Sequence, residues 1–179
     1  LERAAVAIDE KNPDLTADER AAVVHMIGIG AVKYAELSTD RIKDYVFDWD
    51  RMLSFDGNTG PYLQYAHARI CSIFRRADVD RASVRGLPIL LDEPEERALA
   101  LRLLAYPSAI DTMLEAYSPH KLCTYVYELA TDFTAFYEHC PVLKADEPLR
   151  SSRLALADLT ARVLQHSLGL LGIEAPEQM

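Results

Sequence analysis

FDGNTGPYLQYAHARI, residues 55 to 70, sets a run of backbone breakers directly against a run of chemically capable side chains. Asp56-Gly57, Asn58 and Gly60-Pro61 are turn formers, each for its own reason: glycine accepts positive φ, Asn and Asp bond their own backbone, and proline pre-sets φ. Pro61 also suits the first turn of a helix, where its missing N–H would have no partner anyway. The pattern therefore predicts a loop, then a helix from about Pro61 to Ala77. On that helix Tyr62, Tyr65 and Arg69 are spaced three and four residues apart and share one face. Gln64 and His67 fall on a neighbouring face, with Ile70 and Phe74 available for a core. A tyrosine one turn from an arginine can stack on an unpaired base and clamp its phosphate or edge. Base–aromatic stacking is worth about 1–3 kcal/mol, and a bidentate arginine contact about as much. The same residues can instead be structural, with both tyrosines packed inward and Arg69 paired to an acid, and composition alone favours that second reading.

Helical patterns extend outward from this stretch on both sides. Leu1 is not methionine and the pattern begins inside a helix, as expected of a piece of something longer. NPDL at 12 to 15 breaks this first segment. Thr16 with Glu19 then makes a capping box, and Val23, Ile27, Ala31 and Tyr34 follow at helical spacing. Gly28 and Gly30 cost this second helix about 1 kcal/mol each, a cost that close approach of another element would justify. Residues 38 to 61 are irregular, and DYVFDWD at 44 to 50 reads as extended or as one turn of helix. Downstream, Asp92 and Pro94 look like a cap and first turn of a helix to about Tyr106, YPSA interrupts, and a shorter helix ends near Tyr117. Ser118-Pro119 opens another, on which Leu122, Val126, Leu129, Phe133 and Phe136 form a core-facing stripe. The last helix is expected from about Glu147 to Leu171. Leu156, Leu159, Val163 and Leu170 form one of its stripes, and Leu164, Leu168 and Leu171 another. Gly172 is placed to stop it. No segment alternates as a strand does, so the fold class is all-α, a helical bundle with short connections. A boundary falls near residues 50 to 60.

The 179 residues suffice for one good core or two small domains, and the 50% hydrophobic content makes the chain globular rather than disordered. No apolar run is long enough to span a bilayer, which argues against a membrane partner. Cys71, Cys123 and Cys140 lack metal or redox spacing and read as reduced, buried thiols of a cytoplasmic protein. The net charge of −9 opposes a general nucleic-acid binder. Local charge differs: Arg69, Arg75, Arg76, Arg81 and Arg85 outnumber Asp78 and Asp80 along one stretch, so an acidic chain can still carry one basic patch. DGNTGP lacks the Lys-Ser/Thr of a phosphate loop and follows no strand. His25, His67, His120, His139 and His166 are dispersed, which opposes a metal site, and no nucleophile motif appears. No catalytic residue is assigned.

VFDWDRMLSFDGNTGPYLQYAHARI (46 to 70) closely resembles the segment that joins the catalytic domain of class I arginyl-tRNA synthetases to their anticodon-binding domain. YSPHKLCTYVYELATDFTAFYEHCPVL (117 to 143) and RLALADLTARVLQHSLGLLGIEAPEQM (153 to 179) resemble the family's next signature and its C-terminal helix and tail. The likeness covers essentially the whole chain. The Asp-Ala-Leu-Arg letters that name this domain type (DALR) are only loosely kept, around ADLTAR.

The resemblance implies a helical bundle of the DALR type at residues 56–179, preceded at 1–55 by a helical connection from the catalytic domain. The HIGH-like and KMSKS-like ATP signatures are absent, so the chain is expected to lack aminoacylation activity alone and to need no cofactor. ATP and Mg would belong to the parent enzyme, which joins arginine to its tRNA. The implied partners are arginine tRNA and the parent's catalytic domain, with the chain monomeric. Carried over by position, Tyr65 would stack on an anticodon-loop base and Arg69 would hold it or its phosphate, with Tyr62, Gln64, Arg75 and Arg76 alongside. Met179 with its carboxylate is a further candidate, because the family's last residue approaches the anticodon. His67 matches the motif too, and a satisfied structural histidine is an equal reading of it. Asp56, Gly57, Asn58, Thr59 and Gly60 would form a mobile loop that responds to tRNA. Arginine codons all have G in the middle, so the middle anticodon base is C, whose amino donor suits a carbonyl or carboxylate acceptor. The alternative is a stand-alone helical protein-interaction module that reuses the fold.

Overall fold

The computed structural model describes residues 1–44 and 46–179, so Tyr45 in DYVFDWD lies outside the described residues. All regular structure among them is helical. The order is α1 (Glu2–Lys11), α2 (Ala17–Leu37), α3 (Trp49–Met52), α4 (Gly60–Ala77), a 3-10 turn (Arg81–Val84), α5 (Pro94–Leu104), α6 (Tyr106–Ala116), α7 (Pro119–His139) and α8 (Leu149–Leu170).

Local signals account for most helix starts. Thr16 Oγ1 accepts from the Glu19 N–H while the Glu19 side chain accepts from the Thr16 N–H, the reciprocal capping expected there. Asp48 caps the single turn α3 by accepting from the Asp50 and Arg51 N–H groups. Thr59 caps α4, with Pro61 in its first turn. Three expectations shift. Glu93, not Asp92, flanks α5, and its partner is Glu96. YPSA starts α6 instead of merely interrupting, since Pro107 is tolerated in a first turn. The last helix begins at Leu149, two residues late.

α4, α7 and α8 form the centre of the main core, with α5 and α6 laid against α7 and α2 against α4. The α7 stripe of Leu122, Val126, Leu129, Phe133 and Phe136 is fully buried. Leu164 and Leu168 of α8 and Leu171 just past its end are buried as expected, but Leu170 is 50% exposed and is not a core residue. A separate small cluster of Ala4, Ile8, Val23, Val24 and Ile27 joins α1 to α2, and Phe55 and Met179 pack against its edge. Both α2 glycines mark close approaches. A Cβ on Gly30 would stand 2.8 Å from the Gln64 amide, and one on Gly28 would stand 2.9 Å from Leu1. Cys71, Cys123 and Cys140 are free and buried, and burial pushes the Cys140 thiol up to about 11 and Cys123 up to about 12. No helix among the described residues is long and apolar enough to cross a membrane.

Candidate nucleic-acid interface

α4 carries two stripes with different duties. Tyr62, Tyr65, Arg69, Ser72 and Arg76 recur at steps of three and four, so they line one face. Tyr62, Tyr65 and Arg69 are half-buried and Arg76 is exposed. Gln64, His67, Cys71 and Arg75 follow the same steps on the other side.

The first stripe is bordered by aromatic and cationic groups from elsewhere. Tyr62 meets Tyr127 of α7, with ring centroids 5.8 Å apart. Tyr65 meets Phe55 edge-on at 6.3 Å. The Lys11 ammonium, at the end of α1, sits 4.9 Å from the Tyr65 ring centre and 5.1 Å from that of Phe55. The Arg69 guanidinium lies 4.6 Å over the Tyr137 ring of α7. Among the described residues Arg69 pairs with no acid, and the flat ring beneath it supports a guanidinium whose N–H donors have no protein partner there. Lys11, Phe55 and Tyr137 were not singled out from the sequence. Lys11 is about fifty positions from Tyr65, across two helices, and Tyr137 lies just off the α7 core stripe, so only the packing brings them here.

Gln64 and His67 are not on this partly exposed face; both are fully buried. Gln64 Nε2 donates to the Met26 carbonyl at 3.0 Å and to the Glu174 carbonyl at 2.7 Å, while its Oε1 is buried with no partner among the described residues. The His67 ring bonds the Pro176 carbonyl at 2.9 Å through Nδ1, which must therefore carry the proton. Their expected contact with RNA is corrected to a contact with the chain's own tail. The physical reason is burial: no atom of either reaches solvent. Arg75 reaches the tail too, donating to the Glu177 carbonyl at 2.8 Å while remaining exposed.

The tail is held along its length. Lys33 donates to the Gly172 carbonyl, Gly172 itself turns with φ +68°, and Gln178 Nε2 donates to Glu19 Oε1 at 2.9 Å. Met179, like Phe55, packs against the α1–α2 cluster.

The basic patch is smaller than the sequence suggests. Arg81 and Arg85 point Nε at the buried Asp158 carboxylate, at 2.9 and 3.4 Å, and Arg162 joins them at 3.0 Å. Asp158 is the acid of ADLTAR, so that motif locks the 3-10 turn onto α8. Arg69, Arg75 and Arg76 remain with no ion-pair partner among the described residues. The loop is closed on itself, with Ser54 Oγ donating to the Asp56 carbonyl and accepting from its N–H, and is tied to the bundle at its Asn58–Thr59 side. Asn58 Oδ1 accepts from the buried Tyr34 hydroxyl at 2.5 Å, and Thr59 Oγ1 donates to the Ser54 carbonyl at 2.6 Å. Asp56 and Gly57 form the exposed tip.

Two family models match the chain. The DALR anticodon binding domain matches residues 63–179, and the class I (R) tRNA synthetase catalytic domain matches residues 1–49. Arginine–tRNA ligases of Haemophilus influenzae (strain PittGG) and Photorhabdus laumondii subsp. laumondii are 52% and 53% identical over 180 residues, covering 100% of this chain and 31% of theirs. The arginyl-tRNA synthetase of Thermus thermophilus superposes with a TM-score of 0.91 at 40% identity, over 99% of this chain and 30% of that one. That of Plasmodium falciparum gives 0.89 at 32%, over 99% and 32%. The chain thus spans 31% of the length of the curated relatives it matches.

Proposed function

The chain belongs to the family of DALR anticodon-binding domains of arginine–tRNA ligases, and from that premise we propose that it binds arginine tRNA through its anticodon loop. The observation that carries this reading is the half-exposed α4 stripe, where Tyr65 offers an aromatic ring and Arg69 a guanidinium over the Tyr137 ring. An unstacked base lies on Tyr65, and Arg69 holds it or the adjoining phosphate. Arg76 and Arg75 supply charge to neighbouring phosphates. Carbonyls of the tail, which lies along the neighbouring stripe of α4, suit the exocyclic amino group of a middle cytosine. The exposed tip Asp56-Gly57 adjusts when the loop arrives, while Asn58 and Thr59 stay anchored.

Residues 1–55 serve as the connection to a catalytic domain and 56–179 as the bundle that meets tRNA. In the whole protein that catalytic domain joins arginine to tRNA with ATP and Mg. This chain contributes recognition and acts as a monomer. The alternative is a helical protein-interaction module that reuses the same fold.

The test is titration with arginine tRNA against the same tRNA carrying G in place of the middle anticodon C. Tighter binding of the unmodified tRNA is expected. Tyr65→Ala and Arg69→Ala should each weaken it by about tenfold, toward the lower end of the 1–3 kcal/mol that a stacking or bidentate contact is worth. Arg76→Ala should reduce the salt slope by about one. Equal binding to both tRNAs overturns anticodon reading, and no binding by a folded sample favours the protein-interaction module.

A further inference from the structure

The second stripe of α4 does something the first cannot. Gln64, His67 and Arg75 stand on one helical face and take, in order, the carbonyls of Glu174, Pro176 and Glu177 at 2.7, 2.9 and 2.8 Å. Two of these donors are fully buried, so the bonds are screened from water and strong in direction. They run along the tail in the same order as along the helix, which sets its register as well as its place. Gln64 also takes the Met26 carbonyl, tying the same register to α2. The consequence appears at the far end: Gln178 is fastened to Glu19, and Met179 packs on the same α1–α2 cluster as Phe55, the ring that meets Tyr65. A one-residue slip would shift the tail's end by about 3 Å, a hydrogen-bond length, relative to that ring.

We propose that Gln64 and His67 are positioning residues for base selection: they register residues 172–179 on α4 so that the free carbonyls at the tail's end meet the edge of a base stacked on Tyr65. This rests on the anticodon-reading function proposed above and assigns its selectivity. Tyr65, Arg69 and Arg76 set how tightly RNA is held; the Gln64–His67 ladder sets which base is accepted. The carbonyls of Glu174, Pro176 and Glu177 are consumed by the ladder. Those of Gln178 and Met179 accept no hydrogen bond among the described residues. An amide or imidazole hidden under the tail thus controls a contact that it never makes.

The experiment measures two quantities on wild type, Gln64→Ala, His67→Ala and His67→Asn. The first is the ratio of affinities for arginine tRNA with C or G at the middle anticodon position. The second is hydrogen exchange of the tail amides 173–179 by mass spectrometry, without RNA. The ladder predicts faster tail exchange and a ratio reduced at least tenfold in Gln64→Ala and His67→Ala, chiefly through weaker binding of the C form. His67→Asn, whose amide can donate from nearly the position of Nδ1, should recover part of both. Gln178→Ala is exposed and outside the core, so it repeats the test if a buried variant does not fold. Arg76→Ala should weaken both tRNAs equally and leave tail exchange unchanged. A wild type that discriminates, with variants that discriminate equally well, overturns the ladder's role alone. Unchanged tail exchange overturns it too. A wild type with no discrimination overturns the anticodon reading itself.

Discussion

His67 sits where its charge has no room. Burial pushes its pKa below the ordinary 6.5, and the nearby Arg81 pushes the same way, against the Pro176 carbonyl and Glu177, which favour the proton. Below 6.5 the unfolded chain takes up a proton that the folded chain refuses. This contribution to stability is therefore complete above 6.5 and is lost as the pH falls through the depressed folded value. Urea midpoints measured at about pH 7.5 and pH 5 should fall more for wild type than for His67→Gln, which removes the titrating ring and keeps a donor. An equal fall in both would show that the histidine is not the group responsible. At Tyr65 the residue-scale argument is different. Its ring is half-buried beside Lys11 and Phe55, so Tyr65→Ala should reduce RNA affinity with little loss of stability, and the pair of measurements separates binding from folding.

Helix α4 succeeds because its ends and its faces agree. Thr59 starts it, Pro61 fixes its first turn, and its two outward stripes divide between solvent and tail. Its closest neighbour is α2, and the approach depends on glycine at the crossing. A Cβ on Gly60 would stand 2.9 Å from the Gly30 carbonyl oxygen and 3.0 Å from the Tyr34 Cβ. In an unconstrained helix, Gly→Ala gains about 1 kcal/mol. Here the sign should reverse: Gly60→Ala must push α2 from α4, at a cost of about 1–3 kcal/mol. Chemical denaturation reads the sign directly, and a stabilised variant would refute the close approach. Because Asn58 hangs from Tyr34, the same variant should also disturb the loop before α4.

Across the whole molecule, two buried carboxylates lock distant segments together. Glu96 is fully buried and accepts from Arg153 Nε at 2.7 Å and from the Asp92 and Glu93 N–H groups at 2.9 and 3.0 Å. Burial pushes its carboxyl up, but the Glu93 N–H and the Arg153 guanidinium outweigh that and hold it below the usual range. α5 is thereby fixed to α8. Arg153→Met leaves a buried charge without its cation and should cost about 3–5 kcal/mol of stability. Adding Glu96→Gln should restore part of the loss, so a double-mutant cycle identifies the pair. Asp158 does the same for the 3-10 turn through Arg81, Arg85 and Arg162. Arg81 and Arg85 therefore look like part of a basic patch in the sequence and act as braces in the fold.

The all-α class and most of the helix limits were legible in the sequence, because they rest on short-range rules. The Thr16–Glu19 box, Pro61, the α7 stripe and Gly172 each act within a turn or two of helix. Tyr65 and Arg69 were legible as a face for the same reason, since three- and four-residue steps align side chains without any help from the fold. The sequence alone could not separate Gln64 and His67 from them. Both stripes have identical spacing, and which one meets solvent depends on where residues 174–177, about a hundred positions away, come to lie. Nor could it discount Arg81 and Arg85, whose partner Asp158 is equally remote, or supply Lys11 and Tyr137 as neighbours of the site. Helix formation follows from local bonds, and periodicity records them. The division of polar side chains between solvent, tail and ion pair is decided by long-range burial, and only the tertiary structure sets which groups are brought out of water together.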